Sequence, residues 1–263
     1  CSTRSSGSGQ PQRSSATERL SAAATPCRTD VPITCQPARD ANEAQEVPEG
    51  EAAWLRDPEH PELYWTNPMC VHFSQVKVSN LILADHKGKV VEGRHAINRA
   101  GFVLHAAVHE AHPDIVAMCH AHTVYGTAFA ALGRPLEPIS QDAAAFFEDH
   151  VVIKSEAGQV AVEERAGLAV CDWFKGVKAA IHQNHGLLTA SRHSIESAAF
   201  WFIALERCCR QQLMVEATGI KPALVSAERS RYSREHVGSE YIGWLHFQPI
   251  YDHLALSQPD MFD

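Results

Sequence analysis

The sequence predicts a layered α/β domain. Apolar runs of strand length alternate with segments whose apolar residues recur at helical spacing. Apolar residues make up 45% of the 263 residues, ample material for one large core. No stretch repeats internally.

The elements follow in chain order. Residues 1–52 are low in complexity at their start and rich in Pro, Glu, Asp and Gln at their end. They are expected to form a disordered or atypical N-terminal segment, and residues 53–263 the folded domain. Arg56 to Glu62 is a turn-rich loop. Val76-Lys-Val78 and Leu81–Ala84 read as strands, and Gly88 marks the turn before Val90-Val91. Ala96, Ala100, Val103, Leu104, Ala107 and Ala111 follow a helical period that His112-Pro113 closes. Ile115 to His122 is a compact strand, and Val124 to Leu132 a short helix stopped by Gly133 and Pro135. Val151–Ile153 is apolar, Glu163 to about Lys178 is expected to be helical, and Ala179 to Thr189 reads as one strand. Ser194 can cap a long helix with Glu196 in its first turn and Ala198, Phe202, Leu205, Cys209 and Leu213 along its inner line. Gly219 and Pro222 end it.

Composition excludes several function classes. The formal net charge is −8, which disfavours nucleic-acid binding. No run approaches the roughly 18 apolar residues of a membrane span. The eight cysteines are scattered, without a Cys-x-x-Cys, as expected for free thiols in a cytoplasmic protein.

The chemistry concentrates in two places. His120-Ala-His122 lies at a strand end, where residues two apart share a face and two imidazoles can grip one ion. With sixteen histidines in the chain, such a pair also arises by chance, so alone it leaves a packing role open. The second place is Asn184-His185-Gly186, where the glycine allows close approach. Three protein ligands with open positions make a catalytic rather than a structural metal site. Three further residues are candidates for catalysis. Tyr125 lies a short way past His122 and could donate a proton, or pack as a helix-face aromatic. Gln141 and Asp142 could face the site or cap a turn.

Together, His120-Ala-His122, His112-Pro113-Asp114 and the run Gln183–Leu188 resemble the class II aldolase/adducin family. Gly88–Gly93, Asn98–His105, Gly133–Leu136, Gln141-Asp142, Gly243-Trp244 and Phe247–Tyr251 support the resemblance, which covers roughly residues 54–263. It implies a three-layer α/β/α domain around a mainly antiparallel central sheet. It also implies His120, His122 and His185 as ligands of one divalent metal ion per chain, zinc first and iron(II) as the alternative. A homotetramer acting on a small-molecule substrate is implied as well.

Two departures matter. Family aldolases carry a glutamate four residues before a helical histidine; counting back from His105 gives Gly101, as in the adducin-like branch. A phosphate-cradling loop is replaced by Glu51-Ala-Ala-Trp54, where a negative charge would repel phosphate. The expected function is therefore a metal-dependent lyase acting on a small hydroxy-carbonyl or keto acid, by aldol cleavage or by decarboxylation through a metal-stabilised enolate. A non-haem iron(II) decarboxylating oxygenase acting on an arylpyruvate-like acid is the enzymatic alternative. An adducin-like role in the actin cytoskeleton is the non-enzymatic one.

Overall fold

The computed structural model describes residues 52–155, 157–158, 170–171 and 174–263. Ala52 belongs to the sheet; the rest of the expected N-terminal segment lies outside the described residues, as does most of the helix expected from Glu163. The end of that helix is corrected: residues 174–178 form bends leading into a strand.

Among the described residues, one eight-stranded sheet runs through the molecule in the order β4-β3-β2-β1-β5-β8-β7-β6. Its strands are β1 (Ala52–Arg56), β2 (Leu63–Thr66), β3 (Ile82–Asp85), β4 (Val90–Glu92), β5 (Ala117–Ala121), β6 (His150–Ile153), β7 (Ala179–His182) and β8 (Gly186–Ser191). Every pairing is antiparallel except that of β6 with β7. The helices are α1 (Arg99–Ala111), α2 (Val124–Ala130), α3 (Gln141–Ala144), α4 (Ile195–Glu216), α5 (Ala227–Val237) and α6 (Glu240–Ser257). None of the described helices is long and apolar enough to cross a membrane.

The period-two alternation of the strands sorts side chains onto two faces. Ala53, Leu55, Cys119, Ala121 and Leu187 pack with Ala198, Trp201, Phe202 and Leu205 of α4. On the opposite face, Met118, Leu188 and Ala190 meet Leu104 and Val108 of α1, while Ala52 and Trp54 meet Phe102 and Val103. The result is the expected three-layer α/β/α arrangement around a mainly antiparallel sheet. Local chemistry sets the helix starts: Asn98 Oδ1 accepts from the backbone N–H groups of Ala100 and Gly101, and Ser194 Oγ from that of Ser197.

Two expected strands are corrected. Val76-Lys-Val78 is no strand, because tight 3₁₀ turns occupy Phe73–Gln75 and Val78–Asn80. The run from Ala179 to Thr189 is two strands, not one. The chain reverses between β7 and β8 through Gln183, Asn184 and His185, with His182 opposite Gly186. Asn184 takes φ +57°, a left-handed conformation that asparagine tolerates better than most residues. Strands β1 and β2 were not anticipated. Their connection is organised by the buried Asp57, which accepts from the N–H groups of Glu59 and His60 and from Trp65 Nε1. Asp149, in a run of acids that reads as a solvated face, instead pairs with buried Lys178 at 2.5 Å. The Lys178 ammonium also donates to the Ala145 carbonyl (2.8 Å) and sits 4.6 Å from the Trp201 ring centre.

A buried histidine couples this fold to pH. His109 Nδ1 donates to the Ile115 carbonyl at 3.1 Å, and Arg56 donates to the His109 carbonyl at 2.7 Å. Burial, reinforced by the Arg56 charge, lowers the His109 pKa to about 3 from an ordinary 6.5. Below that ordinary value the unfolded chain takes up a proton that the folded chain refuses, so stability is present at neutral pH and lost on acidification. The His109→Asn variant, whose amide can reach the same carbonyl, should therefore lose less stability than the wild type between about pH 6 and about pH 5. The expected difference in urea unfolding is about 1 kcal/mol. Equal losses would contradict this reading.

Candidate metal centre

The antiparallel register of β5 and β8 builds the site. Ala121 faces Leu187 and His120 faces Leu188. His122, one residue past the end of β5, therefore comes level with Gly186, and His185 follows in the β7–β8 turn. Expected strand positions for His122 and His185 are corrected accordingly: His120 alone of the three lies within a strand.

Gly186 has a specific reason to be glycine. A Cβ at this position would stand 2.7 Å from the Ala121 carbonyl oxygen and 3.2 Å from His122 Cδ2. The turn itself is held from three sides. Gln183 N donates to the Ile153 carbonyl (2.8 Å), Asn184 N to Ala130 (3.3 Å) and His185 N to His182 (3.0 Å). The start of α2, directly after His122, is held from α4. Glu206 accepts from Thr123 Oγ1 at 2.6 Å and from Tyr125 N at 3.0 Å.

One nitrogen from each of His120, His122 and His185 lies within 4.8 Å of the others. His120 is buried, while His122 and His185 are partly exposed, so the cluster opens toward solvent on one side. His120 Nδ1 lies 2.9 Å from the Leu187 carbonyl oxygen. A carbonyl only accepts, so Nδ1 carries the proton and Nε2 presents its lone pair. That Nε2 is 3.2 Å from His185 Nε2. Two nitrogens on one tetrahedral zinc, each at roughly 2.0–2.1 Å, would be about 3.3 Å apart. His122 Nε2 is buried without a hydrogen-bond partner among the described residues. Burial, then the neighbouring His185 and His122, hold the His120 pKa well below its ordinary value, and burial also lowers that of His122. Three converging imidazoles, one with an orphaned buried nitrogen, are the donor set a divalent ion takes. The residues fit the implied metal.

Gly101 lies on the first turn of α1, where a Cβ would stand 3.3 Å from Ala52 Cβ. Ala52 is the register partner of His120. The helix thus lies against the strand beside the cluster without offering it a carboxylate. His105, one helical turn further on, is fully buried. Its ring stacks on Trp54 (5.6 Å, 18°) and lies 6.5 Å from that of His120. Neither His105 nitrogen has a hydrogen-bond partner among the described residues. It serves as a neutral packing ring behind the site, since burial drives its pKa well down. Cys119 faces the α4 side, as strand alternation requires.

The other candidates lie on the two short helices that follow β5. Tyr125 is partly buried on α2, with the Arg210 guanidinium 4.9 Å from its ring centre. Gln141 and Asp142 are exposed on α3, which packs against α4 and α5. Sequence reasoning missed Glu206 and His182. Glu206 is 83 residues from Thr123 and carries no local signal. His182 could have been suspected, since it is itself a histidine on the edge of the turn that bears His185. Its ring stacks on that of His185 at 4.7 Å and 12°.

The close approach at Gly186 makes a direct prediction. Gly186→Ala should lower stability by about 1–3 kcal/mol in urea unfolding, because the added methyl meets backbone as well as His122. It should also weaken retention of an added divalent ion. Unchanged stability would show that the contact is looser than described.

Comparison with known proteins gives the family and agrees with the fold. Residues 50–213 match the family described as Class II Aldolase and Adducin N-terminal domain. The decarboxylase NovR of Streptomyces niveus is 40% identical over 208 residues, covering 79% of this chain and 76% of the relative. A second relative, 4-hydroxy-3-prenylphenylpyruvate oxygenase/4-hydroxy-3-prenylbenzoate synthase of Streptomyces roseochromogenus subsp. oscitans, is 39% identical over 209 residues, 79% of this chain and 74% of the relative. Among solved structures, L-fuculose 1-phosphate aldolase from Glaciozyma antarctica PI12 superposes with a TM-score of 0.78 at 30% identity, covering 97% of each chain. The chain belongs to the class II aldolase and adducin family.

Proposed function

We propose that the chain is a metal-dependent enzyme that cleaves a carbon–carbon bond beside a carbonyl, with decarboxylation of a small keto or hydroxy acid as the first reaction to test. The observation that carries this is the convergence of three imidazoles, open on one side. His120, His122 and His185 would hold one divalent ion, zinc first and iron(II) second. When bound there, such an ion supplies Lewis acidity for the negative charge that develops on substrate oxygens.

The chain's own residues set the conditions for that chemistry. The Leu187 carbonyl fixes the His120 tautomer, and burial keeps the ring neutral. Gly186 lets the β8 backbone approach His122. Gly101 puts no acid on the turn of α1 that lies beside the cluster, which favours chemistry that binds and polarises over chemistry that needs a carboxylate from that turn. Loss of carbon dioxide starts from a carboxylate that is already ionised, whereas aldol cleavage needs a base to take the proton of the hydroxyl on the departing carbon; both end by protonating the enolate carbon. Names of the relatives at 40% and 39% identity, a decarboxylase and an oxygenase/synthase, favour the same choice over a sugar-phosphate aldolase.

The second relative also favours a second reading, an iron(II)-dependent decarboxylating oxygenase acting on an arylpyruvate-like acid. Tyr125, Gln141 and Asp142 remain proposed as substrate-side groups, with Tyr125 the nearest to the ligands along the chain. We also infer a homotetramer acting on a small molecule in the cytoplasm. Residues 1–51 remain a proposed appendage to the domain, which Ala52 of β1 opens.

Two measurements test the proposal. Metal analysis of the purified wild type should give about one ion per chain, and His185→Ala should lose most of it. Less than about half an ion per wild-type chain would contradict the reading. Arylpyruvates and small keto acids should then release carbon dioxide. Release without oxygen uptake identifies the lyase, and release with ferrous-dependent oxygen uptake identifies the oxygenase. No release from any of them, with metal bound, would overturn decarboxylation.

A further inference from the structure

The turn that carries His185 also carries a second histidine that the proposed ligand set does not use. His182 is the last residue of β7 and is buried, with 3% of its surface exposed. Its position is fixed from both neighbouring strands: it pairs in register with Ile153 of β6 and with Gly186 of β8. Its Nε2 lies 2.9 Å from the Ser155 carbonyl oxygen, just past the end of β6. The carbonyl can only accept, so Nε2 carries the proton and the imidazole plane is set by the β6 backbone. The ring then lies face to face with that of His185, with centres 4.7 Å apart and planes 12° from parallel.

This contact differs from every other ring contact in the cluster. The rings of His120, His122 and His185 meet one another tilted or edge-on, at 46° to 86°. Those angles are what rings aimed at a shared point require. The parallel contact is instead one of support, since a flat face restrains rotation of the ring lying on it. His185 needs such support most. It sits in a reversing turn rather than in a strand, and it is partly exposed. His120, in contrast, is held by the Leu187 carbonyl from within β5.

We propose that His182 is the positioning residue for His185: its flat ring, packed face to face on that of His185, sets the plane in which His185 presents Nε2 to the ion. This rests on reading His120, His122 and His185 as ligands. His182 acts through His185 and is not one of the three histidines that converge. A ligand whose orientation is fixed beforehand loses less freedom on binding, and removing such support typically costs about 10–100-fold in metal affinity.

Cobalt(II) titrated into the metal-stripped full-length chain is the probe, with its visible absorption bands as the readout of ligand geometry. His182→Phe keeps the flat face and loses the donor, whereas His182→Gln keeps a donor and loses the ring. The phenylalanine variant should bind cobalt within about threefold of wild type with the same bands. The glutamine variant should bind at least about tenfold more weakly with shifted bands, while far-UV circular dichroism stays unchanged. If His182→Gln does not fold, His182→Leu replaces it as the ringless variant. Wild-type affinity and bands in the ringless variant would overturn the proposal, as would a phenylalanine variant as weak as the ringless one. Two controls separate this from the parent reading. Cobalt binding by wild type that is lost in His185→Ala leaves the ligand reading standing whatever His182 does. A wild type that takes up no cobalt overturns both.

Discussion

The pairing of β5 with β8 is the constraint on which the rest depends. It sets His122 level with Gly186, brings His185 over from the next turn, and presents the Leu187 carbonyl to His120. Each contact needs the strands at their observed separation, which a side chain at position 186 would disturb. Gly126 plays a related part on the other face: a Cβ there would stand 2.5 Å from Leu187 Cδ1. The strand supplying the Leu187 carbonyl is thus clamped between β5 and the α2 helix that starts directly after the ligands.

Burial does the electrostatic work. A histidine that is buried and surrounded by other histidines resists protonation, because each added charge would be desolvated and would repel the next. The α1 side of the sheet carries three buried rings, His109 and His105 on α1 and His120 on β5. The first donates to a backbone carbonyl and the second stacks on Trp54. All three are held neutral by burial, so none of these rings adds a positive charge to oppose an incoming cation. The same property makes the fold sensitive to acid, which links the site's chemistry to the protein's stability.

Much of this was legible in the sequence. His120-Ala-His122 and Asn184-His185-Gly186 stood out because ligand spacing and a glycine have short-range signatures. The inner line of α4 showed a clean helical period, and four of its five residues are buried. The layered fold followed from the alternation of strand and helix signals. The misreadings have physical causes. The run from Ala179 to Thr189 looked continuous because the reversing residues are Gln183, Asn184 and His185, without the glycine or proline that usually marks a turn. Val76-Lys-Val78 had strand composition, yet the Asn80 side chain accepts from Lys77 N and draws the chain into a tight turn. Asp149 looked solvated because its partner, Lys178, is 29 residues away. Glu206 was invisible for the same reason. Long-range polar contacts leave no periodic trace.

The central claim is that three imidazoles from two chain segments hold a single divalent ion. X-ray absorption at the metal edge of the protein as purified tests it most directly. The account predicts a nitrogen-dominated shell at about 2.0–2.1 Å with the outer-shell scattering of about three imidazole rings. A shell dominated by sulfur at about 2.3 Å, or one without imidazole scattering, would contradict it.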